Sequence, residues 1–309
     1  MDKFLTVVQV IAPIFATVFL GLLARKKGFV TPEGVQGLQQ FVMNIGLPCV
    51  IFNSCLTAKV GAESVGIMLM LLPFMIGSTL WAFRVSKGKY PYRNLPMMFC
   101  AQESGMLGIP LFMILFGGAQ AYHVAVLDLT QAVTAHPTIA ILSSDAGKNP
   151  SPMQILKKVL TSPLVIMVFL GLGLNISGLG NWLDSIGVGP IITETTSFLG
   201  QPVSAMMIFS VGYNFSLASG NRKQILKICA IHLITFAVIG GILQLGMFLL
   251  PGVTAEARWA VLLYSFLPAS YLSPTLGKTD EEYTVASGVC SLLTIATLVV
   301  FCIMAAFVA

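Results

Sequence analysis

The segment CAQESGMLGIPLFMILFGG, residues 100–118, lies in an otherwise apolar run and interrupts it with three polar residues, then two glycines and a proline. Proline cannot donate a backbone N–H group and clashes with the carbonyl four residues earlier, while glycine adds backbone freedom. We therefore expect a helix that is broken part-way. The residues concerned are Gln102, Glu103, Ser104, Gly105, Gly108 and Pro110.

The composition around this segment is that of a membrane protein. Of 309 residues, 56% are hydrophobic and only 9% are charged, whereas a soluble domain has about 25% charged residues. So few charges cannot cover the surface of a soluble fold of this length, and they exclude the disordered class. The six cysteines lie in apolar runs without CxxC or metal-ligand spacing.

Ten apolar runs of about 20 residues, the length that crosses the hydrocarbon core as a helix, follow one another along the chain. They cover 4–24, 35–56, 62–83, 94–116, 120–142, 154–174, 192–217, 226–250, 257–276 and 283–307. The sequence therefore predicts an all-α polytopic membrane protein with ten transmembrane helices.

Lys and Arg divide unequally between the two sides defined by these helices. The connections after odd-numbered helices hold 14 of the 17, and the other side holds Lys3, Lys59 and Arg258. Because basic residues favour the cytoplasmic side, we expect a multi-pass protein of the cell (inner) membrane with both termini outside the cytoplasm.

Proline landmarks of the first half recur in order in the second half. The segments PIFATVFLGL and PLVIMVFLGL share the pentapeptide VFLGL. The matched prolines are Pro13 and Pro163, Pro48 and Pro202, and Pro110 and Pro274, at offsets of 150, 154 and 164 residues. Each half contains five predicted helices, an odd number that inverts the second copy. We expect two inverted five-helix repeats, 1–147 and 148–309, as in secondary transporters.

A second interruption is predicted in the ninth helix, at FLPASYLSPTLGK, where Pro268 and Pro274 flank Ser270, Tyr271 and Ser273. Freed backbone groups at membrane depth are tolerated only where they are buried in protein or line a cavity. An ordinary proline kink explains either helix alone. Two interrupted helices at corresponding points of inverted halves indicate a transport site.

Four segments carry a resemblance to a known family: APIFATVFLGLLARKKGFVT, FVMNIGLPCVIF, SGMLGIPLF and PLVIMVFLGLGLNISGL. Over almost its whole length the chain resembles the auxin efflux carrier family, with its bacterial malonate-transporter-like members, within the bile acid/auxin/arsenite transporter superfamily. The resemblance implies that helices 4 and 9 are broken and cross near mid-membrane beside the substrate, with Pro110 and Pro274 at the crossing. It is also compatible with a homodimer.

Two of the twelve acidic residues, Glu103 and Asp128, fall inside predicted helices. A charge at bilayer depth costs on the order of 3 kcal/mol, so such acids face a cavity or bind a proton. Gln131 lies three residues after Asp128 on the same helical face. Since the Lys and Arg residues lie near the predicted interfaces, we expect Glu103, Asp128 and Gln131 to handle a coupling H⁺ or Na⁺. A hydrogen bond to a neighbouring helix is the alternative for each acid.

Glu103 also departs from the family pattern, because many relatives have an asparagine seven residues before the helix-four proline. This difference argues against a simple family-typical anion site. Further polar residues flank the prolines of helices 2 and 7, where they serve equally well to bond neighbouring helices. They are Asn44, Asn53, Gln201, Tyr213 and Asn214.

The predicted function is secondary transport of small organic anions, carboxylates above all, by elevator-like or rocking alternating access. Candidate substrate-binding residues are Gln102, Glu103, Ser104, Gly105, Gly108, Pro110, Ser270, Tyr271, Ser273, Pro274, Asn44, Asn53, Tyr213 and Asn214. A sodium-coupled bile-acid-type symporter and a non-transporting membrane receptor of the same fold are the alternatives. The sequence contains no GxSxG or HExxH motif, so we expect neither an enzyme nor a cofactor, and no nucleic-acid partner.

Overall fold

A computed structural model describes residues 2–58, 61–143, 151–215 and 221–308, and this part of the chain is helical, without a β-strand. Helices α1–α7 are Asp2–Lys27, Pro32–Phe41, Leu47–Thr57, Ala62–Val85, Met97–Cys100, Ile109–Phe116 and Tyr122–Ser143. Helices α8–α15 are Pro152–Leu160, Pro163–Ser177, Leu179–Ser185, Val188–Gly200, Val203–Asn214, Arg222–Gly246, Ala255–Ser265 and Asp280–Val308. The predicted boundary between the two halves, 147/148, lies outside the described residues.

Within the described ranges, six helical stretches are long and apolar enough to span a membrane: Val7–Lys27, Pro32–Thr57, Ala62–Val85, Gly118–Ser143, Arg222–Leu249 and Asp280–Val308. Helices α9 and α10 make a seventh if they are taken as one span bent by 79°. The chain is therefore an all-helical, multi-pass membrane protein. The other three predicted spans, 94–116, 192–217 and 257–276, are interrupted helices.

Two predicted helices were wrong in their continuity. The span predicted at 154–174 is divided, because α8 ends at Leu160 and α9 begins at Pro163. Ser162 caps α9, with its hydroxyl accepting the N–H of Val165 at 3.3 Å. The span predicted at 192–217 is divided at Gln201 and Pro202, since proline lacks the N–H group that would continue α11. The predicted end of that span, at residue 217, lies outside the described part.

The two copies of VFLGL lie where α1 packs against α12 and where α9 packs against α3. A Cβ atom on Gly21 would collide with the carbonyl oxygen of Phe209 in α12. A Cβ atom on Gly171 would lie 2.7 Å from the carbonyl oxygen of Phe52 in α3. In both copies the glycine lets two helix backbones approach each other, as small residues do in membrane proteins. Each contact joins a helix of the first half to one of the second.

Five other helices pack together around α5 and α6: α4, α7, α13, α14 and α15. Large side chains such as Phe99, Phe112 and Tyr264 are fully buried there. This group contains both of the interrupted helices that the sequence predicts at 94–116 and 257–276. It therefore positions the candidate site.

Two five-residue π-turns, Val42–Gly46 and Ser104–Gly108, each precede an aliphatic residue and then a proline. The N–H of Leu47 donates to the carbonyl of Val42, and that of Ile109 to the carbonyl of Ser104, so each bond reaches back five residues. The proline at the next position has no backbone N–H group, so it needs no acceptor in the preceding turn. The wider turn thus leads into the proline within one helical stretch, Pro32–Thr57 in the first case and Ser104–Phe116 in the second.

Candidate functional site

The interrupted fourth and ninth helices meet at their breaks. The first break, Ala101–Glu103, separates α5 from the π-turn that leads into α6, and its backbone is extended at Ala101. The second break, Phe266–Ser273, follows α14 and precedes a short 3₁₀ turn. Gln102 of the first break and Ala269 of the second pair in antiparallel fashion. We call this meeting point the crossing.

Backbone hydrogen bonds connect the two breaks in both directions. The N–H of Glu103 donates to the carbonyl of Pro268 at 2.8 Å, and the N–H of Ser270 donates to the carbonyl of Ala101 at 3.2 Å. An unpaired backbone group in a membrane interior costs several kcal/mol. Each break therefore satisfies part of the other's freed backbone.

The side chain of Gln102 serves the carbonyl groups that the second break leaves free. In the amide orientation that satisfies both of its polar atoms, the nitrogen lies 3.1 Å from the carbonyl oxygens of Leu267 and Pro268. The same nitrogen lies 3.2 Å from Nε2 of His232 on α13. His232 is fully buried and accepts through Nε2, so it is a neutral imidazole in this contact.

Glu103 acts as an acceptor, whereas Gln102 acts as a donor. The Glu103 carboxyl group accepts one N–H group of the second break and one N–H group of the turn that follows the first break. Oε2 accepts the N–H of Tyr271 at 2.6 Å, and Oε1 accepts the N–H of Met106, in the first turn after the break, at 3.4 Å. The side chain is 8% exposed. Glu103 thus acts as the N-cap of one half-helix and holds the backbone of the other.

Ser104 and Asp128 form the third polar contact of this region. The Ser104 hydroxyl donates to Oδ1 of Asp128, and Nε2 of Gln131 lies 2.9 Å from the same oxygen. Asp128 is partly exposed, whereas Ser104 and Gln131 are buried. Ser104 directly follows Glu103 in the chain. Its bond to Asp128 therefore brings a carboxyl group of α7 into the same polar network as the carboxyl group of Glu103.

Gln131 joins three separate elements through its amide. Its Oε1 accepts the backbone N–H of Gln102 at 2.8 Å and the hydroxyl of Tyr264 on α14 at 2.7 Å. Its Nε2 lies 2.9 Å from the carbonyl oxygen of Gln102 and 2.8 Å from the hydroxyl of Ser104. The predicted coupling residues Glu103, Asp128 and Gln131 are thus brought together around the first break.

Hydroxyl groups surround the second break. The Tyr271 hydroxyl lies 2.8 Å from that of Thr294 on α15, and the Ser273 hydroxyl donates to the carbonyl of Ser270 at 2.7 Å. Ser270 and Ser273 are buried. Thr297 on α15 donates to the carbonyl of Phe266. The predicted substrate-binding residues Ser270, Tyr271 and Ser273 therefore do lie at the crossing.

The prediction that Pro110 and Pro274 occupy the crossing was wrong. Pro110 lies in the first turn of α6, seven residues beyond Glu103, and Pro274 begins the 3₁₀ turn after the second break. Gly105 and Gly108 lie in the π-turn, where a Cβ atom on Gly108 would approach Leu267 to 2.7 Å. Proline is tolerated at a helix start, so it marks the end of the break here and not its centre.

The other four candidates, Asn44, Asn53, Tyr213 and Asn214, lie away from the crossing. Asn44 donates to the carbonyl of Gln40 within its own helix, and Asn53 donates to the Ser197 hydroxyl on α11 at 3.1 Å. The Tyr213 hydroxyl donates to the carbonyl of Val30. Asn214 is exposed at the end of α12. The contacts of Asn44, Asn53 and Tyr213 connect turns and helices, and they do not bring these side chains to the breaks.

Several polar residues of the crossing were not predicted. Thr294, Thr297 and His232 contact a break as described above, the Tyr264 hydroxyl bonds to Gln131, and Thr134 donates to the carbonyl of Cys100 at 2.8 Å. A sequence signal existed for part of this set. Thr130, Thr134 and Thr138 recur every four residues on α7, and Cys290, Thr294 and Thr297 follow helical spacing on α15. Such a polar stripe on an apolar helix indicates a face turned toward protein.

Within the described ranges, no cluster of three or more His, Cys, Asp or Glu side chains could hold a metal ion. The crossing instead combines carboxyl, amide and hydroxyl groups with backbone groups freed by two breaks. Residues 6–308 match the sequence model of the family described as "Membrane transport protein".

The chain belongs to this membrane transport protein family. The match covers almost the whole chain and confirms the family resemblance predicted from its motifs. No curated protein matches the sequence. Membership implies a membrane transporter and not an enzyme, and the crossing of this membrane transport protein is the natural candidate for its transport site.

Proposed function

We propose that this protein is a secondary transporter of small organic anions, carboxylates above all, with the substrate bound at the crossing. The observation that carries the proposal is the meeting of two broken helices that exchange backbone hydrogen bonds. Broken helices at corresponding points of two halves are where secondary transporters bind their substrates. In this proposal the three interrupted helices also cross the membrane, which gives ten crossings with both termini outside the cytoplasm.

The packing of the two VFLGL copies supports the inverted-repeat part of the proposal. Gly21 in α1 packs on α12, and Gly171 in α9 packs on α3. Each copy thus makes the same kind of contact with a helix of the other half that has a matched proline at its start, Pro48 in the first turn of α3 and Pro202 directly before α12. Halves related by inversion, 1–147 and 148–309, would produce such a reciprocal pair.

The grouping of helices supports alternating access. The group of α4, α7, α13, α14 and α15 holds both breaks, whereas in a second group α1 packs with α12, α3 packs with α9 and α11, and the π-turn Val42–Gly46 lies between these two sets. Movement of the first group against the second, elevator-like or rocking, would carry the crossing from one side of the membrane toward the other. Glu103, Asp128 and Gln131 would then move with the substrate and supply the coupling to H⁺ or Na⁺.

The test is uptake by purified protein in proteoliposomes, measured across a panel of small carboxylates. Voltage, pH and sodium gradients are imposed one at a time. Saturable uptake of a carboxylate supports the proposal. Uptake that requires sodium would identify a sodium-coupled symporter, and ligand binding without any flux would identify a receptor.

The variant Glu103→Gln tests the coupling role. It should abolish the pH-gradient dependence of uptake while exchange stays measurable, because the amide cannot carry the proton. Glu63→Gln is the matched control, since Glu63 is equally buried but caps the start of α4, with Oε1 accepting the N–H of Gly61 at 3.0 Å. Gradient dependence that is unchanged in Glu103→Gln would exclude a coupling role for Glu103.

A further inference from the structure

The carboxyl group of Glu103 occupies two backbone donors at once, one in the second break and one in the turn that follows the first break. Oε2 accepts from Tyr271 and Oε1 accepts from Met106. Met106 lies in the first turn of the helical stretch Ser104–Phe116, whose N-terminal N–H groups carry partial positive charge. These are donors of the kind that bind carboxylate ligands. The protein's own carboxyl group therefore fills the place that suits the anionic group of a substrate.

We infer that Glu103 is an intramolecular competitor of the substrate: a carboxylate takes the N–H groups of Met106 and Tyr271 once Glu103 has bound a proton and released them. The inference rests on the proposed function, since it requires an anionic substrate. It adds the backbone atoms that the substrate contacts and the reason why a proton accompanies it.

Among the residues that the structure describes, the side chains that face Glu103 offer no fixed positive charge that would let two carboxylates share these donors. From α7 comes the carboxyl group of Asp128, which interacts electrostatically with Glu103. His136 lies two turns further along α7 and interacts with Asp128. The other titratable groups of the described surroundings are Tyr271 in the second break, Tyr264 on α14, Cys290 on α15, His232 on α13 behind Gln102, and Tyr213 on α12, which bonds Val30.

Two like charges at one pair of donors repel each other strongly in a site of low dielectric constant. Protonation of Glu103 removes one of them: the proton comes from solvent, bonds to a carboxylate oxygen, and no other covalent bond changes. The substrate then restores the single negative charge. A monocarboxylate and this proton together carry no net charge, so their combined movement is electrically neutral.

The experiment is isothermal titration calorimetry of propionate with the full-length protein in nanodiscs between pH 6 and pH 9. Buffers of different ionisation enthalpy report the protons taken up on binding. Propionamide is the uncharged control ligand, and Glu63→Gln is the control variant. For the wild type we expect a Kd that rises about tenfold per pH unit where Glu103 is ionised, with uptake of about one proton per propionate. Propionamide should show no such pH dependence.

Two variants separate the charge of Glu103 from its hydrogen bonds. Glu103→Gln removes the charge and keeps an acceptor oxygen, whereas Glu103→Ala frees both donors. Both variants should bind propionate without proton uptake and with a Kd that does not change with pH. At pH 8 both should bind more tightly than the wild type, Glu103→Ala most tightly. Glu63→Gln should follow the wild type.

Other results overturn the inference. If the wild type and both Glu103 variants take up the same number of protons on binding propionate, the protein binds the anion but Glu103 is not its competitor. Loss of binding in Glu103→Gln and Glu103→Ala alone would make Glu103 a ligand of the substrate and not its rival. Proton uptake that persists in Glu103→Gln and disappears in Asp128→Asn transfers the proton to Asp128. If folded wild type and variants all fail to bind propionate and larger carboxylates, the proposed substrate class itself is wrong.

Discussion

The first break carries carboxyl and amide groups, whereas the second carries mainly hydroxyl groups. Glu103 and Gln102 of the first break reach across to backbone atoms of the second. Ser273 of the second break bonds within its own segment, and Tyr271 bonds to Thr294 on the adjacent α15. The acidic and amide side chains are thus concentrated at the first break, while the second contributes backbone donors and acceptors and hydroxyl groups.

We expect the largest effect from Gln131→Leu, which removes the amide that joins the first break to α7 and α14. It leaves the backbone N–H of Gln102 and the hydroxyl of Tyr264 without this acceptor in a buried site. We expect a loss of about 3 kcal/mol in the free energy of unfolding and no measurable uptake. Thermal unfolding in nanodiscs measures the first quantity. Thr130→Val, on the same helix with a local bond to the carbonyl of Val126, should change little.

Gln102→Leu should have the next largest effect, because Gln102 belongs to the first break but serves the second. The carbonyl of Leu267 and Nε2 of His232 would lose this donor. The expected cost is about 2 kcal/mol of unfolding free energy, measured in the same way. Gln201→Leu, at an exposed position, is the matched control. Equal stability of the two variants would mean that the second break does not depend on Gln102.

Thr294→Val tests the second break alone. The Tyr271 hydroxyl would lose its partner at 2.8 Å, at an expected cost of about 1 kcal/mol, since side-chain hydrogen bonds between membrane helices average somewhat less than this. The pH-gradient dependence of uptake should be unchanged. A shift in that dependence would show that charge coupling extends into the second break. Thr275→Val, an exposed residue with a local bond, is the control.

Pro110→Ala should have the smallest effect, within about 1 kcal/mol, because the helix passes through Pro110 without interruption. Uptake should persist. The unfolding free energy and the initial uptake rate, compared with those of the wild type, provide the measurement. A folded Pro110→Ala protein without uptake would show that Pro110 is required for transport, as the family resemblance implies.

The sequence was sufficient for the class of protein, the family and the existence of both breaks. Composition and apolar run length predicted a multi-pass helical protein, and the polar, glycine and proline residues of 100–118 and 266–278 predicted the breaks in helices 4 and 9, whereas the divisions of the spans at 154–174 and 192–217 were not predicted. The family resemblance implies a crossing at Pro110, whereas the first break lies at Ala101–Glu103, seven or more residues earlier. Proline lacks a backbone N–H group, but it is well tolerated in the first turn of a helix. A proline alone therefore does not locate an interruption.

Glu103 was named from the sequence, yet its role as a link between both breaks was not. Its partner Tyr271 lies 168 residues away, and nothing in the spacing of the chain specifies such a pairing. The same holds for Gln102, whose acceptors belong to Leu267, Pro268 and His232. Local patterns predict helices and their interruptions, whereas the partners of freed backbone groups depend on how distant segments come together.

The π-turn Ser104–Gly108 holds one more residue than an α-helical turn would. If it changed to an α-turn, the preceding residues would rotate by about 100° around the helix axis and shift along it by about 1.5 Å. Glu103 lies directly before this turn, so such a rotation would point its carboxyl group away from Tyr271. A one-residue change of helical register, confined to a single turn, would then be enough to switch the backbone donors of the crossing between an internal and an external ligand.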